Sequence, residues 1–502
     1  MKGSKKKSTF YTIASSVANI TLQTLCNLIY INLLVKNYGS SVNGLISSIT
    51  QFVTLFSILE GGFSSAIIVA LYKPLMEKNY NRVNDILYTG KKFLLKATAL
   101  ITTGVLIGGS IYLGVIDSPI SMMQTSIIML ICLLTTVSSL YNVSLNAIVL
   151  QGSNMEYITQ GYTMVAKIVS VILQILLVVM KVDIVYVFSC TLLNNIILVI
   201  MLKSKIKKDL KFITYRGQEN IKYIKGTKDV FTQKIANTVF ESTDLILVST
   251  CINLAAASVY SIYNQVFRSI YNLFLGISRG PNHSFGQLFA EREIQKSKEL
   301  SREYSAIIYL IAGCLFTITG CLTRPFLQIY TQEFADYDYI NLSLVIVFFS
   351  FFYIRSINSA YAMVLNVTGN FKLQNKQMLV AAVLNIVLSY AFIRYLGLIS
   401  IVLGSFISTT LIVEANMYQS FKFLNRKGLL KEHIILWSNY LYNLLIVRIS
   451  FHFTFDQSSY FSWFILAIPI VIICIILVVL FNTIFFRREI KSLIIRFLSR
   501  QN

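Results

Sequence analysis

Fourteen apolar stretches, each about the 20 residues needed to cross a bilayer, succeed one another along the 502 residues and leave little choice of fold. They run near 12–35, 42–71, 93–116, 122–150, 155–180, 184–202, 230–254, 256–283, 303–323, 342–366, 377–395, 396–421, 434–452 and 461–486. Only 13% of residues are charged and 55% are hydrophobic, whereas about a quarter of an ordinary soluble domain is charged. The expected fold is an all-α polytopic membrane protein with about 14 transmembrane helices. The basic segment Met1–Thr9 feeds an apolar run of about 25 residues without a convincing cleavage site, which predicts an uncleaved first span.

A net charge of +22 invites a nucleic-acid reading until the positions of the cations are plotted. With the N-terminus inside, 35 of the 44 Lys and Arg residues fall in or beside the inner segments, and only Lys36, Lys181, Arg324, Arg394 and Arg448 lie in outer turns. This is the positive-inside pattern, with both termini cytoplasmic and no nucleic-acid partner. Lys167, Arg268, Arg279 and Arg355 remain, all inside spans. The seven cysteines sit in apolar stretches without a C-x-x-C pair and read as buried fillers; the sequence predicts no metal site.

Charge inside a span is costly, at least about 2.5 kcal/mol at mid-depth. Yet two consecutive spans within Asp229–Gly286 carry polar seams: Gln233, Asn237, Glu241 and Asp244, then Asn264, Arg268, Tyr271 and Asn272, each at helical spacing. Such seams predict an internal cavity. A third seam, Asn19, Gln23, Asn27 and Tyr30, runs along the first span. Lys167 shares a face with Gln160, Thr163, Ser170 and Gln174. The densest basic stretch splits the chain, and Val42 and Val259, Gly152 and Gly369, and Asn27 and Asp244 are all 217 residues apart. One shift across several spans predicts a duplicated six-helix unit. The expected division is a first lobe 1–202, a basic linker 203–229, a second lobe 230–424, a helix pair 425–486 and a basic amphipathic tail 487–502, suited to the inner leaflet.

The run Leu59-Glu60-Gly61-Gly62-Phe63-Ser64-Ser65-Ala66, then Leu71-Tyr72-Lys73-Pro74-Leu75, resembles the second helix and first cytoplasmic loop of the polysaccharide transporter family. Ser242-Thr243-Asp244, Val259-Tyr260-Ser261-Ile262-Tyr263-Asn264-Gln265, Ser284-Phe285-Gly286 and Thr368-Gly369-Asn370 extend the similarity over most of residues 10–425. That family belongs to the multidrug/oligosaccharidyl-lipid/polysaccharide exporter superfamily. The resemblance implies an alternating-access flippase, not an enzyme, in a bacterial cytoplasmic membrane. Its cargo would be undecaprenyl-pyrophosphate-linked repeat units of O-antigen, capsule or other surface polysaccharide. A polymerase and glycosyltransferases would be its partners. In fourteen-helix relatives the last helix pair can help hold a lipid tail.

Such a cargo needs cations for its pyrophosphate and hydrogen-bonding groups for its sugars. Arginine is suited to phosphate because its planar fork stays charged and binds two oxygens. The candidate substrate groups are Arg268, Arg355, Lys167, Arg279, Asn264, Tyr271, Asn27 and Gln23. Glu60, Glu241 and Asp244 are candidates for coupling to H⁺ or Na⁺; the competing reading is static charge balance with the intramembrane cations. No cofactor is expected, and there is no G-x-x-x-x-G-K-[ST] for ATP. A multidrug antiporter of the same fold is the nearer alternative. A glycosyltransferase or polymerase using Asp336-Tyr337-Asp338 is the more distant one, because its outer loop is too short for a catalytic domain.

Overall fold

A computed structural model describes residues 2–57, 63–220, 228–278, 285, 288, 291, 293–367, 371–453 and 459–498. Among them there is no strand, and the helices follow the expected order of fourteen spans. These are α1 (Lys2–Tyr38); α2 (Ser40–Phe56) with α3 (Phe63–Met76); α4 (Tyr80–Val115); α5 (Met122–Ser138) continued through a π-turn into α6 (Leu145–Gly152); α7 (Glu156–Val179); and α8 (Ile184–Asp209). There follow α9 (Lys228–Cys251), α10 (Leu254–Ser278), α11 (Ile294–Tyr330), α12 (Leu342–Val367), α13 (Phe371–Leu396), α14 (Leu398–Phe423), α15 (Leu429–Ser450) and α16 (Tyr460–Leu498). Among the described residues, ten segments are both long and apolar enough to cross a membrane on those criteria alone. The spans falling short are the interrupted α2–α3 and the polar-seamed α9, α10 and α15. The protein is a multi-pass membrane protein.

Short polar signals end the helices where the apolar runs leave the boundary open. At the abrupt turn between α13 and α14, Gly397 takes φ +52°, a left-handed conformation that a side chain disfavours. Ser121 and Gln124 form a capping box that starts α5, and Asp183 caps α8 by accepting from the Val185 N–H. Displaced by 217 residues, α4 falls on 297–332, close to α11 at Ile294–Tyr330. Likewise α7 falls on 373–396, close to α13 at Phe371–Leu396. The helix boundaries thus repeat as the residue matches do, giving two six-helix sets followed by the pair α15 and α16.

The chain forms two compact units, Met1–Ser261 and Ile262–Asn502. In the first, α1 packs on α7, α7 on α8, and α2 on α5 and α9. Its basic connector is stitched to α4. The Asn84 side chain accepts from the N–H groups of Thr214 (2.8 Å) and Tyr215 (3.2 Å) and donates to the Phe212 carbonyl (2.8 Å). Lys92 lies 2.9 Å from Glu219 and holds that carboxyl below the usual carboxylate range. Asn84→Ala should leave those backbone groups without their partner, at about 1–3 kcal/mol. Amide exchange over 212–220 should then quicken about 5- to 150-fold; unchanged exchange would refute this docking.

In the second unit α11 packs on α12, α15 and α16, while α14 packs on α12 and α13. Buried side chains join these helices, as where the Thr317 hydroxyl donates to Asn443 at 2.7 Å. Such bonds suit helix pairs surrounded by lipid. Large apolar side chains facing outward, including Leu106, Ile107 and Ile111 on α4, suit the same solvent. The cysteines are unpaired, and Cys251, at the end of α9, is exposed where a buried position was expected.

Candidate functional site

The α10 helix places its cation by being two-faced. Tyr263, Phe267 and Phe274 are fully buried, with Tyr263 and Phe267 stacked on Phe348 of α12 at 5.6 and 5.8 Å. That anchoring leaves Asn264, Arg268 and Tyr271 half-buried on the neighbouring stripe. From α12, Arg355 lays its guanidinium 4.8 Å over the Tyr271 ring and 5.6 Å from that of Phe351. Stacking holds a guanidinium by its flat face while its N–H groups radiate in the plane. Arg268 lies one turn from Tyr271 on the same helix. The second unit therefore brings together Arg268, Tyr271 and Arg355, an arrangement able to meet an anion with oriented donors.

In the first unit the α1 seam faces α7. Asn19 donates to Gln160 at 2.6 Å and accepts from Gln23 at 3.0 Å. Both helices leave the inner face in the same direction, so this pair sets Asn27 and Lys167, eight and seven residues further on, at one level. Asn27, Gln23 and Lys167 are half-buried. Amides and one amine along this line form a neutral to cationic polar stripe.

The acidic candidates are differently placed. Asp244 is 3% exposed and accepts from the Tyr260 hydroxyl at 3.0 Å. Glu241 is half-buried beside Ser242, which accepts from Gln51 of α2 at 3.0 Å. Glu60 and Arg279 lie outside the described residues. In the D-x-D segment, Asp338 accepts from the Ile340 N–H at 2.9 Å and so caps a turn.

Two features had no clear signature in the sequence. Near the expected outer end, Asn43 of α2 donates to Ser258 of α10 at 2.6 Å, and the adjoining Gly44 lies directly against the Leu254 carbonyl. Asn43 precedes no motif, so only the fold identifies its partner. The second feature is a cavity of about 310 Å³ between α11, α15 and α16, with Pro325, Ile446, Ile449, Phe453 and Ile470 among its walls. Arg324 also lines it and donates to the Phe451 carbonyl at 2.6 Å.

No protein-family description and no curated protein sequence matches the chain. Solved structures do. The lipid II flippase MurJ in an inward closed conformation aligns with TM-score 0.68 and 16% identity over 97% of this chain and 99% of that one. An inward-facing multidrug resistance MATE transporter of the MOP superfamily aligns at 0.63 and 13%, over 82% and 98%. A point mutant of the Vibrio cholerae MATE transporter VcmN aligns at 0.58 and 13%, over 85% and 98%. The likeness is one of fold: this chain is built as these membrane transporters are.

Proposed function

We propose that the chain is a flippase carrying undecaprenyl-pyrophosphate-linked oligosaccharides from the inner to the outer leaflet of a bacterial cytoplasmic membrane, for surface polysaccharide synthesis. The observation that carries the reading is Arg355 held on the face of Tyr271, one turn from Arg268. In this assignment the arginines receive the pyrophosphate, and Gln23, Asn27 and Lys167 meet the polar glycan. The half-buried groups are cationic, whereas Asp244 is sequestered by Tyr260. That balance supports an anionic cargo over the cations a multidrug exporter would expel.

Two further observations support a lipid-linked cargo. The likeness to a lipid II flippase takes in nearly the whole chain, whereas those to the multidrug transporters leave 15–18% of it unmatched. The apolar cavity bounded by α15 and α16 suits part of a polyprenyl tail. Transport would proceed by alternating access, with the contacts of α2 to α9 and α10 opening and re-forming. An interior-negative potential favours outward movement of an anion by about 2.3 kcal/mol per charge per 100 mV. Voltage alone can therefore drive the step, and H⁺ or Na⁺ coupling through Glu241 or Asp244 is an additional route. Glycosyltransferases would supply the cargo and a polymerase would consume it.

Cells lacking the protein, and any substitute flippase, should accumulate lipid-linked repeat units on the inner leaflet. Wild type should clear them. Arg268→Ala and Arg355→Ala, present in the membrane at normal amounts, should each lose about 1.5–3 kcal/mol of charge-assisted binding, or about 10- to 150-fold in clearance at limiting substrate. Unchanged lipid-linked sugars in the deletion strain, together with new sensitivity to cationic dyes, would move the assignment to a multidrug exporter.

A further inference from the structure

At the expected inner end of the second unit, two segments far apart in sequence meet on one turn of α11. Ser301 accepts from Arg426, in the α14–α15 turn, at 3.5 Å. The next residue, Arg302, pairs with Glu489 of the α16 tail at 2.6 Å. The ring closes on the buried side. Helix α16 kinks at Phe486, whose ring packs 5.5 Å from Tyr309. Tyr309 bonds Tyr361 at 3.0 Å, Tyr361 donates to Glu432 at 3.2 Å, and Glu432 faces Arg426 at 3.7 Å. The turn and the tail are therefore fixed relative to each other.

This ring uses up carboxylates and leaves cations outside. Glu432 and Glu489 are buried, at 6% and 7% exposure, against Arg426 and Arg302. Lys422, Lys427 and Lys431 around the turn, and Arg487, Arg488 and Lys491 on the tail, are all exposed, and none makes an ion pair among the described residues. Glu299 and Glu303 of α11 are the other acids nearby on that helix. Between the lysines, Leu430 and Ile434, 75% and 53% exposed, share one face of α15. A soluble acidic partner has no use for that face, but a bilayer interface satisfies both parts: hydrocarbon for Leu430 and Ile434, headgroup phosphates for the flanking cations.

We infer that the α14–α15 turn and the α16 tail form one binding site for anionic phospholipid of the inner leaflet, held together by Arg302–Glu489. The site is separate from the Arg268–Tyr271–Arg355 cluster and stands whether or not the flippase assignment does.

The test uses the purified full-length protein and lipid binding by native mass spectrometry, with phosphatidylglycerol against phosphatidylcholine. Wild type should prefer phosphatidylglycerol. Each cation near a membrane surface contributes about a fivefold factor, so Lys427→Ala/Lys431→Ala and Arg487→Ala/Arg488→Ala should each weaken phosphatidylglycerol about 30-fold. All four side chains are exposed, so the melting temperature should not move. Glu489→Ala is the discriminating variant. It makes the surface more positive, so unspecific attraction would tighten binding; release of the tail from the site should weaken it. No lipid preference in wild type, tighter binding in Glu489→Ala, loss confined to one of the two pairs, or equal competition by soluble polyglutamate would each overturn the inference.

Discussion

Glu432→Ala should destabilise the protein by about 3–5 kcal/mol, the range expected when one partner of a buried ion pair is removed. Its side chain is 7% exposed and that of Arg426 only 12%, so the arginine left behind cannot regain much hydration. Tyr361, fully buried, would also lose the acceptor for its hydroxyl. The double variant Arg426→Ala/Glu432→Ala should recover part of the loss, because it removes the stranded charge. Thermal or denaturant unfolding of the purified protein reads both. A single variant as stable as wild type, or a double variant showing the full sum of two losses, would show that the pair does not act as a buried unit.

Gly44→Leu should have the second large effect, acting on the conformational equilibrium as much as on stability. Even a Cβ at this position would stand 1.7 Å from the Leu254 carbonyl oxygen and 2.7 Å from its carbon, so α2 and the start of α10 must separate. Backbone atoms cannot rotate aside as a side-chain end can. Overpacking of this kind costs about 1–3 kcal/mol or more, and the Asn43–Ser258 bond beside it would be lost as well. A cysteine-reactive reagent added from outside should label Ser258→Cys faster in the Gly44→Leu background than in wild type. Equal labelling would mean that Gly44 does not control this contact.

The fold was legible because a bilayer makes unusually simple demands on sequence. Length, apolarity and the side on which lysines fall predict spans and orientation, and a doubled gene leaves its shift in the residues. The Arg268 seam was visible for the same reason, since polar residues at helical spacing stand out against apolar ones. Pairing was not legible. Nothing near Asn19 specifies Gln160, 141 residues away, and nothing near Tyr260 marks its hydroxyl for Asp244. Arg426 and Glu432 read as ordinary inner-loop charges, because the rule that places cations inside does not say which of them the fold will bury. The connector at 210–220 looked like a basic tether, since the side chain that fixes it, Asn84, belongs to a helix more than 100 residues earlier.

The central claim is that this protein moves an anionic lipid-linked glycan across a bilayer by means of the Arg268–Tyr271–Arg355 cluster. The most direct measurement is translocation in vesicles containing only the purified protein and an undecaprenyl-pyrophosphate-linked oligosaccharide, read by protection of the sugar from an added glycosidase. Transfer should require the protein, quicken when the receiving side is made positive, and fall about 10- to 150-fold with Arg355→Ala. Vesicles in which the sugar stays on its original leaflet, while a cationic dye is transported and Arg355→Ala makes no difference, would contradict it.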